Sequence, residues 1–421
     1  MMSTYARFSL EPVGQGLFYT GKIGNFNMVY DCGEMNGPDT IVDLIKDYKH
    51  KLENSKIDML IVSHLHWDHV SGLEELLKNT PVRYVFLPYL LPIQRLLLAL
   101  SEYEYGNQSY YNFLIDPVNY FLELGAEKVI LIRGKEYGEE PGRFPGRFEP
   151  SDDGAQNETF DIDSKDLDDE SIQLPDNYDL REMVIDTDRQ LLEEKFKTRI
   201  SFKNHSGLVS LKQKWVFRFF APPSNKNLMA LEECVMKILP GTRKIDYETL
   251  SNILSSKNNL DKIRSCYKNT FKRLNDTSLI VFHGPINRNI SSFLCLSGSP
   301  TNIPMNYRFY PCKSSFESTV RFGWVLNGDV DFNKVGPAFI KHFSGYLCHM
   351  THLLIPHHGS KVNWNSNILS GVVKPSHWFV SFGLGNQFRH PNHDVIADIT
   401  TNGNTVSTCN EAIRIDQYVF S

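Results

Sequence analysis

The strongest constraint on the fold of this chain is a metal-competent run that directly follows an apolar segment of strand length. The run reads SHLHWDH and occupies residues 63–69. Because alternate side chains of an extended segment share one side, His64 and His66 are predicted to bind one ion as a pair. Asp68 and His69 come at the turn into the next helix, where they face a second ion. Burying four such groups without a cation would be costly, so the sequence predicts a metal centre.

Strand-length apolar runs alternate with helical patterns on both sides of the metal-competent run. The first part of the chain predicts strands at 8–13, 26–30, 57–62 and 82–87, helices at 39–50, 70–78 and 90–103, and a turn at 31–33. The last part predicts strands at 278–282, 323–326, 353–355 and 379–382. This alternation is typical of an α/β protein.

Three segments in the second half offer further ligands, each after an apolar run. Asp329 follows one such run, His357 and His358 follow the next, and His390 follows the last. Gly-Asp and His-Pro pairs are individually common in turns and loops. In this order and at strand ends, however, they predict a carboxylate that bridges two ions and additional imidazoles around it.

Composition limits the classes of function. The chain has 421 residues, 41% of them hydrophobic and 22% charged, as in an ordinary globular protein. Its formal net charge of −5 excludes a molecule that is basic overall and clamps nucleic acid by charge alone. A helical stretch at 257–273 is the only notably basic run, and a solvated helix face is its simplest interpretation.

No segment predicts a membrane span or a secretory signal. The most apolar stretch, residues 82–100, is interrupted by two prolines and two arginines, and the first residues lack a basic region followed by an apolar one. The seven cysteines are scattered and form no CxxC pair, which argues against a disulfide framework and against a thiolate zinc site. We therefore expect a soluble, reduced, cytoplasmic protein.

The middle of the chain has a different composition. Residues 149–170 contain ten acidic residues against one basic residue and predict a solvated surface insertion, with docking of a protein partner as the alternative. Residues 172–198 are partly helical in pattern, 207–220 predict a hairpin and 228–274 predict helices. We divide the chain into an N-terminal half at 1–134, an insertion at 135–274 and a C-terminal half at 275–421.

The motifs resemble those of a known family. The His64-x-His66-x-Asp68-His69 pattern resembles the signature of the metallo-β-lactamase superfamily, which implies a four-layer αββα sandwich carrying a large acidic and helical insertion. The segments at 14–16, 31–33, 275–279, 328–329, 356–360 and 389–391 resemble the soluble metallo-hydrolase domain of ComEC-type DNA-uptake proteins. The resemblance covers about residues 8–105 and 275–415, and the membrane channel of those proteins has no counterpart in this sequence.

The resemblance implies a set of site residues and two divalent ions, Zn²⁺ or Mn²⁺. The implied ligands are His64, His66, Asp68, His69, Asp329 and His357. Asp68 would also orient the nucleophile, and His358 and His390 would contact the substrate as catalytic groups. Which of the adjacent pair His357 and His358 binds metal stays open. Many family members have a separate ligand histidine, for which only His205 and His283 are candidates here.

The leading hypothesis is a metal-dependent hydrolase that acts on a phosphodiester in DNA, RNA or a nucleotide. Reversing the charges of Lys268 and Arg273 should then weaken nucleic-acid binding, if the basic helix lies beside the site. One alternative is a metal-binding sensor or scaffold that docks a partner, as in bacterial anti-phage systems, which ComEC-like domains without the channel resemble. The other is a small-molecule esterase or lactonase with an apolar pocket formed by Leu90, Leu91, Trp215 and Phe219.

Overall fold

The computed structural model describes residues 4–35, 38–52, 55–134, 162–163, 200–204, 208–211, 215–222, 228–270, 278–285, 291–298, 308–311 and 321–420. Four predictions fall mainly outside these ranges. They concern the acidic segment at 149–170, the helical pattern at 172–198, His205 and the side chains of Lys268 and Arg273.

Eighteen strands are formed by the described residues. They are β1 (Thr4–Leu10), β2 (Gly16–Ile23), β3 (Phe26–Glu34), β4 (Ile57–Ile61), β5 (Val82–Pro88), β6 (Ala126–Arg133), β7 (Ile162–Asp163), β8 (Ile200–Asn204), β9 (Leu208–Leu211), β10 (Trp215–Phe220), β11 (Ile280–Pro285), β12 (Ser291–Gly298), β13 (Arg308–Pro311), β14 (Trp324–Leu326), β15 (His352–Leu354), β16 (His377–Ser381), β17 (Thr405–Cys409) and β18 (Ile413–Phe420).

Twelve α-helices connect or cover these strands within the same part of the chain. They are α1 (Pro38–Leu52), α2 (Trp67–Val70), α3 (Leu73–Leu77), α4 (Pro92–Ser101), α5 (Gln108–Ile115), α6 (Pro117–Glu123), α7 (Met229–Ile238), α8 (Tyr247–Leu254), α9 (Lys257–Thr270), α10 (Phe332–His342), α11 (Ile368–Gly371) and α12 (His393–Thr401). Single 3-10 turns occur at Leu347–His349 and His357–Gly359.

The strands form two sheets. The first has the order β13-β12-β18-β1-β2-β3-β4-β5-β6-β8, and the second has the order β17-β16-β15-β14-β11-β10-β9-β7. Pairing is parallel from β3 to β8 in the first sheet and from β14 to β17 in the second. Ligand sites in such sheets form at the carboxyl ends of the parallel strands.

Three separate apolar layers hold the two sheets and the helices together. One layer packs α1, α3–α6 and α7–α9 on the first sheet, and another packs α10–α12 on the second sheet. The third lies between the sheets and is rich in aromatic side chains, including Phe8, Tyr19 and Trp215. Three layers of apolar contact require four layers of structure, which confirms the predicted αββα sandwich.

The predicted turn at residues 31–33 is wrong, and the difference matters for the site. The chain stays in β3 through Glu34, and the pairing of β2 with β3 shifts by one residue between Phe18 and Tyr19. The unpaired residue is Asp31, which has a positive φ of 56°. Asp31 is therefore the extra residue of a β-bulge, which redirects its side chain without ending the strand.

The middle segment contributes to both sheets and to the helical layer. Strand β8 pairs with β6, and β9 and β10 form the predicted hairpin, with β10 pairing to β11. Helices α8 and α9 pack against α4. Contact between α7 and α9 brings Cys234 and Cys266 to a Cα separation of 5.7 Å in a disulfide. The sequence argued against a disulfide framework and predicted reduced cysteines, and this pair departs from the second prediction because helix packing joins cysteines that lie 32 residues apart in sequence.

None of the described helices has the length and the apolar character needed to span a membrane.

Candidate metal centre

The side chains of the metal-competent run meet residues of the second half at the carboxyl ends of parallel strands. His64 and His66 lie in the extended segment after β4, and Asp68 and His69 lie in α2. Asp329 follows β14. Tyr30 donates hydrogen bonds from its hydroxyl to the carbonyl oxygens of Leu279 (3.0 Å) and Leu326 (3.2 Å), which joins the two sheets close to β14.

One group of four buried side chains could hold a divalent ion. It consists of Asp68, His69, Asp329 and His358, whose ligand atoms all lie within 4.8 Å of one another. Nε2 of His358 is 3.2 Å from Oδ2 of Asp68, and Nε2 of His69 is 3.3 Å from Oδ1 of Asp329. Two imidazoles and two carboxylates at this spacing offer four protein ligand atoms to one divalent ion.

A second group shares Asp329 with the first. His64, His66 and Asp329 have ligand atoms within the same limit, and Nε2 of His64 is 3.7 Å from Oδ2 of Asp329. The two oxygens of Asp329 thus face different histidines, as a bridging carboxylate requires. This second group offers three protein ligands, which is the number that a catalytic ion takes when water fills its remaining position.

The adjacent histidines His357 and His358 occupy different positions. His358 is buried, and its Nδ1 lies 2.9 Å from the carbonyl oxygen of Ser381, which holds Nε2 toward Asp68. The side chain of His357 is 27% exposed, and its Nε2 lies 3.7 Å from Oδ2 of Asp329. Both residues have positive φ, so the chain bends sharply and the rings point apart. This geometry favours His358 over His357 as the ligand.

Two buried residues that the sequence did not identify as site residues support the first group. Oδ2 of Asp31 lies 2.8 Å from Nδ1 of His69, and Asp31 also accepts hydrogen bonds from the backbone N–H and the hydroxyl of Ser63, both at 2.6 Å. The hydroxyl of Ser63 is also 2.8 Å from Nδ1 of His64. These contacts turn the Nε2 atoms of both histidines toward Asp329, as supporting carboxylates do in metal sites.

The electrostatics of the two groups match a site built for a cation. Burial and the neighbouring His69 hold the pKa of His64 well below its usual value. Burial opposes protonation of His69 too, but the carboxylates of Asp68, Asp329 and Asp31 raise its pKa well above the usual value. Burial disfavours ionisation of Asp329, yet His357 and His69 hold its pKa well below its usual range. A divalent ion that bound here would compete with protons for the imidazole nitrogens.

Two buried ring nitrogens indicate that the site could bind metal. Nε2 of His64 and Nε2 of His69 have no well-aligned hydrogen-bond partner among the described residues, although both are fully enclosed. Buried polar atoms are almost always hydrogen-bonded or bound to an ion. Both nitrogens point into the groups that Asp329 links, so the residues present fit two divalent ions.

A further carboxylate that the sequence did not identify, that of Glu102, borders the second group, and its side chain is 12% exposed. Glu102 follows the last residue of α4, and its Oε1 lies 3.8 Å from Nε2 of His66. Burial, followed by the charge of Asp68, raises the pKa of Glu102 to about 8. The sequence carried no signal for it, because nothing near Glu102 resembles a ligand motif.

The remaining catalytic candidate lies at the mouth of the site. The ring centres of His390 and His357 are 5.7 Å apart, and Phe388, which is 54% exposed, stacks on His390 at 5.8 Å. Burial, followed by the charges of His357 and His358, lowers the pKa of His390 to about 4. His390 is therefore a neutral imidazole near pH 7.

The structure separates two other groups of candidates from the site. His283 is buried between the sheets, where its Nε2 lies 3.1 Å from the hydroxyl of Tyr19, and it belongs to none of the three metal-competent groups among the described residues. Trp215 and Phe219 lie in the aromatic layer between the sheets, whereas Leu90 packs in the helical layer on the first sheet. These side chains do not form one apolar pocket.

Part of the sequence is similar to a known family. A profile described as the metallo-beta-lactamase superfamily matches residues 15–157. No curated protein sequence matches the chain significantly.

The solved structures that match the chain include three at low identity. One is the metallo-beta-lactamase fold protein YhfI from Bacillus subtilis, with 10% identity, a TM-score of 0.35 and coverage of 98% of this chain and 99% of that chain. Another is the short form of human tRNase Z, with 11% identity, a TM-score of 0.34 and coverage of 95% and 92%. The third is a long form RNase Z from yeast, with 9% identity, a TM-score of 0.31 and coverage of 89% and 36%.

The matched range includes β2 to β6 and all four ligand candidates of the metal-competent run. Residues 15–157 are therefore similar to the metallo-beta-lactamase superfamily, and the two-sheet αββα architecture is consistent with that similarity.

Proposed function

We propose that this protein is a hydrolase that uses two divalent ions to cleave a phosphodiester in DNA, RNA or a nucleotide. The observation that carries the proposal is the pair of metal-competent groups that share the buried carboxylate of Asp329. The similarity of residues 15–157 to the metallo-beta-lactamase superfamily supports hydrolysis as the reaction type, because most members of that superfamily are hydrolases, but a fold alone does not fix the substrate.

The chemistry divides between the ions and the protein. Two divalent ions supply an activated water near neutral pH and neutralise charge that develops on phosphoryl oxygens. Asp68 and His358 would hold one ion while Asp329 joins the two ligand groups. His357 and His390 would line the open side, where a neutral His390 donates a hydrogen bond to a phosphoryl or leaving-group oxygen.

Two features support a nucleic acid or nucleotide as the substrate. Helix α9, which carries the basic run, packs against α4, and α4 leads directly into Glu102 beside His66. At the mouth, the exposed ring of Phe388 stacks on His390 and offers a flat surface for a base. Arg389 between them is exposed and adds positive charge at the same place.

The proposal includes Zn²⁺ or Mn²⁺ as the ions and a ComEC-like relationship. It also includes a role in anti-phage defence and a cytoplasmic location. A protein partner for the acidic segment stays a prediction from the sequence, since that segment lies outside the described residues apart from 162–163.

Metal analysis coupled to activity tests the proposal. Purified protein should retain about two divalent ions per chain and cleave single- or double-stranded DNA or RNA, or release nitrophenol from a phosphodiester. Asp68→Ala should abolish turnover and weaken one ion, with the fold intact by circular dichroism. Asp58→Ala is the matched control, because Asp58 is a buried carboxylate that accepts the Asn27 N–H at 2.9 Å on a different strand end.

Two results would contradict the proposal. One is a wild-type protein that retains no divalent metal after preparation in metal-containing buffer. The other is turnover of an ester or lactone with none of the phosphodiesters, which would move the protein to the small-molecule class.

A further inference from the structure

The loop that follows β16 exposes two large apolar side chains at the mouth of the metal centre. Leu384 is 64% exposed and Phe388 is 54% exposed, although most large apolar residues among those described are buried. The ring of Phe388 lies against that of His390, with ring centres 5.8 Å apart and planes inclined by 28°. A supported ring with this much exposed surface offers a flat face to a ligand.

Hydrogen bonds fix the shape of this loop. Asn386 accepts a hydrogen bond from the backbone N–H of His390 at 2.9 Å and donates its side-chain N–H to the carbonyl oxygen of His390 at 2.8 Å. The backbone N–H of Asn392 donates to the carbonyl oxygen of Gly359 at 2.9 Å, which ties the loop to the turn that carries the histidine pair. The ring of Phe388 is therefore positioned before a ligand binds, which lowers the ordering cost of binding.

A row of rings connects the metal centre to the exposed ring. Nε2 of His357 lies 3.7 Å from Oδ2 of Asp329, at the inner end of the row. The ring centres of His357 and His390 are 5.7 Å apart, and Phe388 stacks on the outer side of His390. A ligand group that reached the metal centre would thus have its neighbouring atoms beside Phe388.

A cation accompanies the ring. Arg389, between Phe388 and His390, is exposed and has a positive φ of 59°, a conformation that residues with a side chain rarely adopt. Such conformations persist where the surrounding structure enforces them, and they concentrate at ligand sites. The loop therefore presents a positive charge and an aromatic face together, which complements the phosphate and the base of a nucleotide.

We propose that the ring of Phe388 stacks on an unpaired base beside the scissile phosphate, so that the substrate is a single strand and not a duplex. This inference rests on the proposed function and narrows its substrate. Bases in a duplex are already stacked, so a side-chain ring reaches only a base that is unpaired or turned out of the helix. The net charge of −5 agrees, because stacking does not need the large basic surface that binds duplex phosphates.

The test separates the aromatic ring from apolar character in the full-length, metal-loaded protein. Phe388→Leu removes the ring but keeps an apolar side chain, whereas Phe388→Tyr keeps the ring. Leu384→Ala is the matched control, since it truncates the other exposed apolar residue of the loop. Cleavage of labelled single-stranded and duplex oligonucleotides of one sequence is followed on denaturing gels and gives kcat/KM for each.

The expected result is a preference for the single strand that depends on the ring. Wild type, Phe388→Tyr and Leu384→Ala should cleave the single strand with at least about 10-fold higher kcat/KM than the duplex. Phe388→Leu should lose about 5- to 150-fold on the single strand, which corresponds to the removal of one base-stacking side chain. Equal kcat/KM of wild type on the two substrates, or an unchanged value in Phe388→Leu, would overturn the proposal.

A strand that lacks one base distinguishes stacking from a structural role of the loop. Abasic positions are placed one at a time on either side of the mapped cleavage site. One of them should lower kcat/KM of wild type about as much as Phe388→Leu does on the intact strand, and it should cause little further loss in Phe388→Leu. A structural role predicts the same loss for Phe388→Leu on intact and abasic strands, and that outcome would contradict stacking.

Failure of this inference and failure of the proposed function give different results. A wild type that cleaves no phosphodiester removes the proposed function and this inference with it. A wild type that cleaves single strands and duplexes alike, with Phe388→Leu equally active, keeps the proposed function and removes only the stacking site.

Discussion

Oδ2 of Asp31 lies 2.8 Å from Nδ1 of His69, while Nε2 of the same ring lies 3.3 Å from Asp329. Asp31 reaches this position because it is the extra residue of the bulge in β3. The carboxylate fixes both the tautomer and the orientation of the imidazole, since Nδ1 must carry the proton that Asp31 accepts. The bulge therefore orients Nε2 of His69 toward Asp329, within the group that could hold an ion.

Removing the charge of Asp31 should weaken the ion bound by His69. We expect Asp31→Asn to lower that affinity by about 10- to 100-fold, because an amide holds the ring less firmly and no longer raises its basicity. Calorimetric titration with Zn²⁺ or Mn²⁺ measures the change. Asp58→Asn alters a buried carboxylate away from the site and should bind both ions like wild type. Equal affinities in the two variants would refute the role of Asp31.

Gly33 allows the metal-competent run to pack against β3. A Cβ at this position would lie 2.5 Å from the carbonyl carbon of Asp68 and from the backbone nitrogen of His69. Both contacts are with backbone, so no side-chain movement relieves them, and Gly33→Ala should cost about 2 kcal/mol or more. Denaturant unfolding measures the loss. Gly336→Ala in α10 meets open space and should not destabilise; equal stability of the two variants would contradict this account.

Sequence patterns identified the ligand candidates that belong to short motifs. His64, His66, Asp68 and His69 adjoin one strand, and Asp329 and the histidine pair follow two others, so strand ends alone brought them together. The sequence did not identify Asp31 and Glu102 as site residues, because their positions at the site depend on tertiary geometry. The side chain of Asp31 is redirected by a bulge in the pairing of β2 with β3. Glu102 lies beside His66 because it directly follows the last residue of α4.

The fold class was predictable for a similar reason, whereas details of the strands were not. Alternating apolar runs predicted strand and helix order around the site, but β3 continues through the predicted turn because β2 pairs along its whole length. The predicted helix at 70–78 is divided into α2 and α3, with Gly72 between them. A Cβ at Gly72 would lie 2.9 Å from Sγ of Cys32, which is a tertiary contact that no local pattern contains.

The adjacent histidines His357 and His358 should have separable roles. His358→Ala should weaken one ion by at least about 10-fold, because it removes a buried ligand candidate beside Asp68. His357→Ala should keep both ions and lose about 100-fold in kcat, since its ring lies on the open side of the site. Metal content and turnover on the same preparations provide the comparison. Loss of an ion in His357→Ala with full retention in His358→Ala would reverse the assignment.

Buried histidines between the sheets should make the fold sensitive to acid. Burial lowers the pKa of His283 to about 3. Burial, followed by the charge of His377, lowers that of His352 to about 3, and burial lowers that of His377 to about 4. All three rings are neutral in the folded protein at pH values where the unfolded chain, with a pKa of about 6.5, already binds protons. Their stabilisation is therefore complete above about pH 6.5 and is lost as the pH falls toward 4 and 3.

Replacing His283 should remove its contribution to the loss of folding stability at low pH. Each group contributes up to about 1.4 kcal/mol per pH unit, so His283→Phe should flatten the dependence of the unfolding free energy on pH by up to that amount between about pH 6 and 4. Urea unfolding across this range measures the slope. Tyr19→Phe is the matched control, because it removes the same 3.1 Å contact but keeps the titrating ring. If Tyr19→Phe flattens the slope as much as His283→Phe does, the acid sensitivity comes from the hydrogen bond and not from protonation of the buried ring.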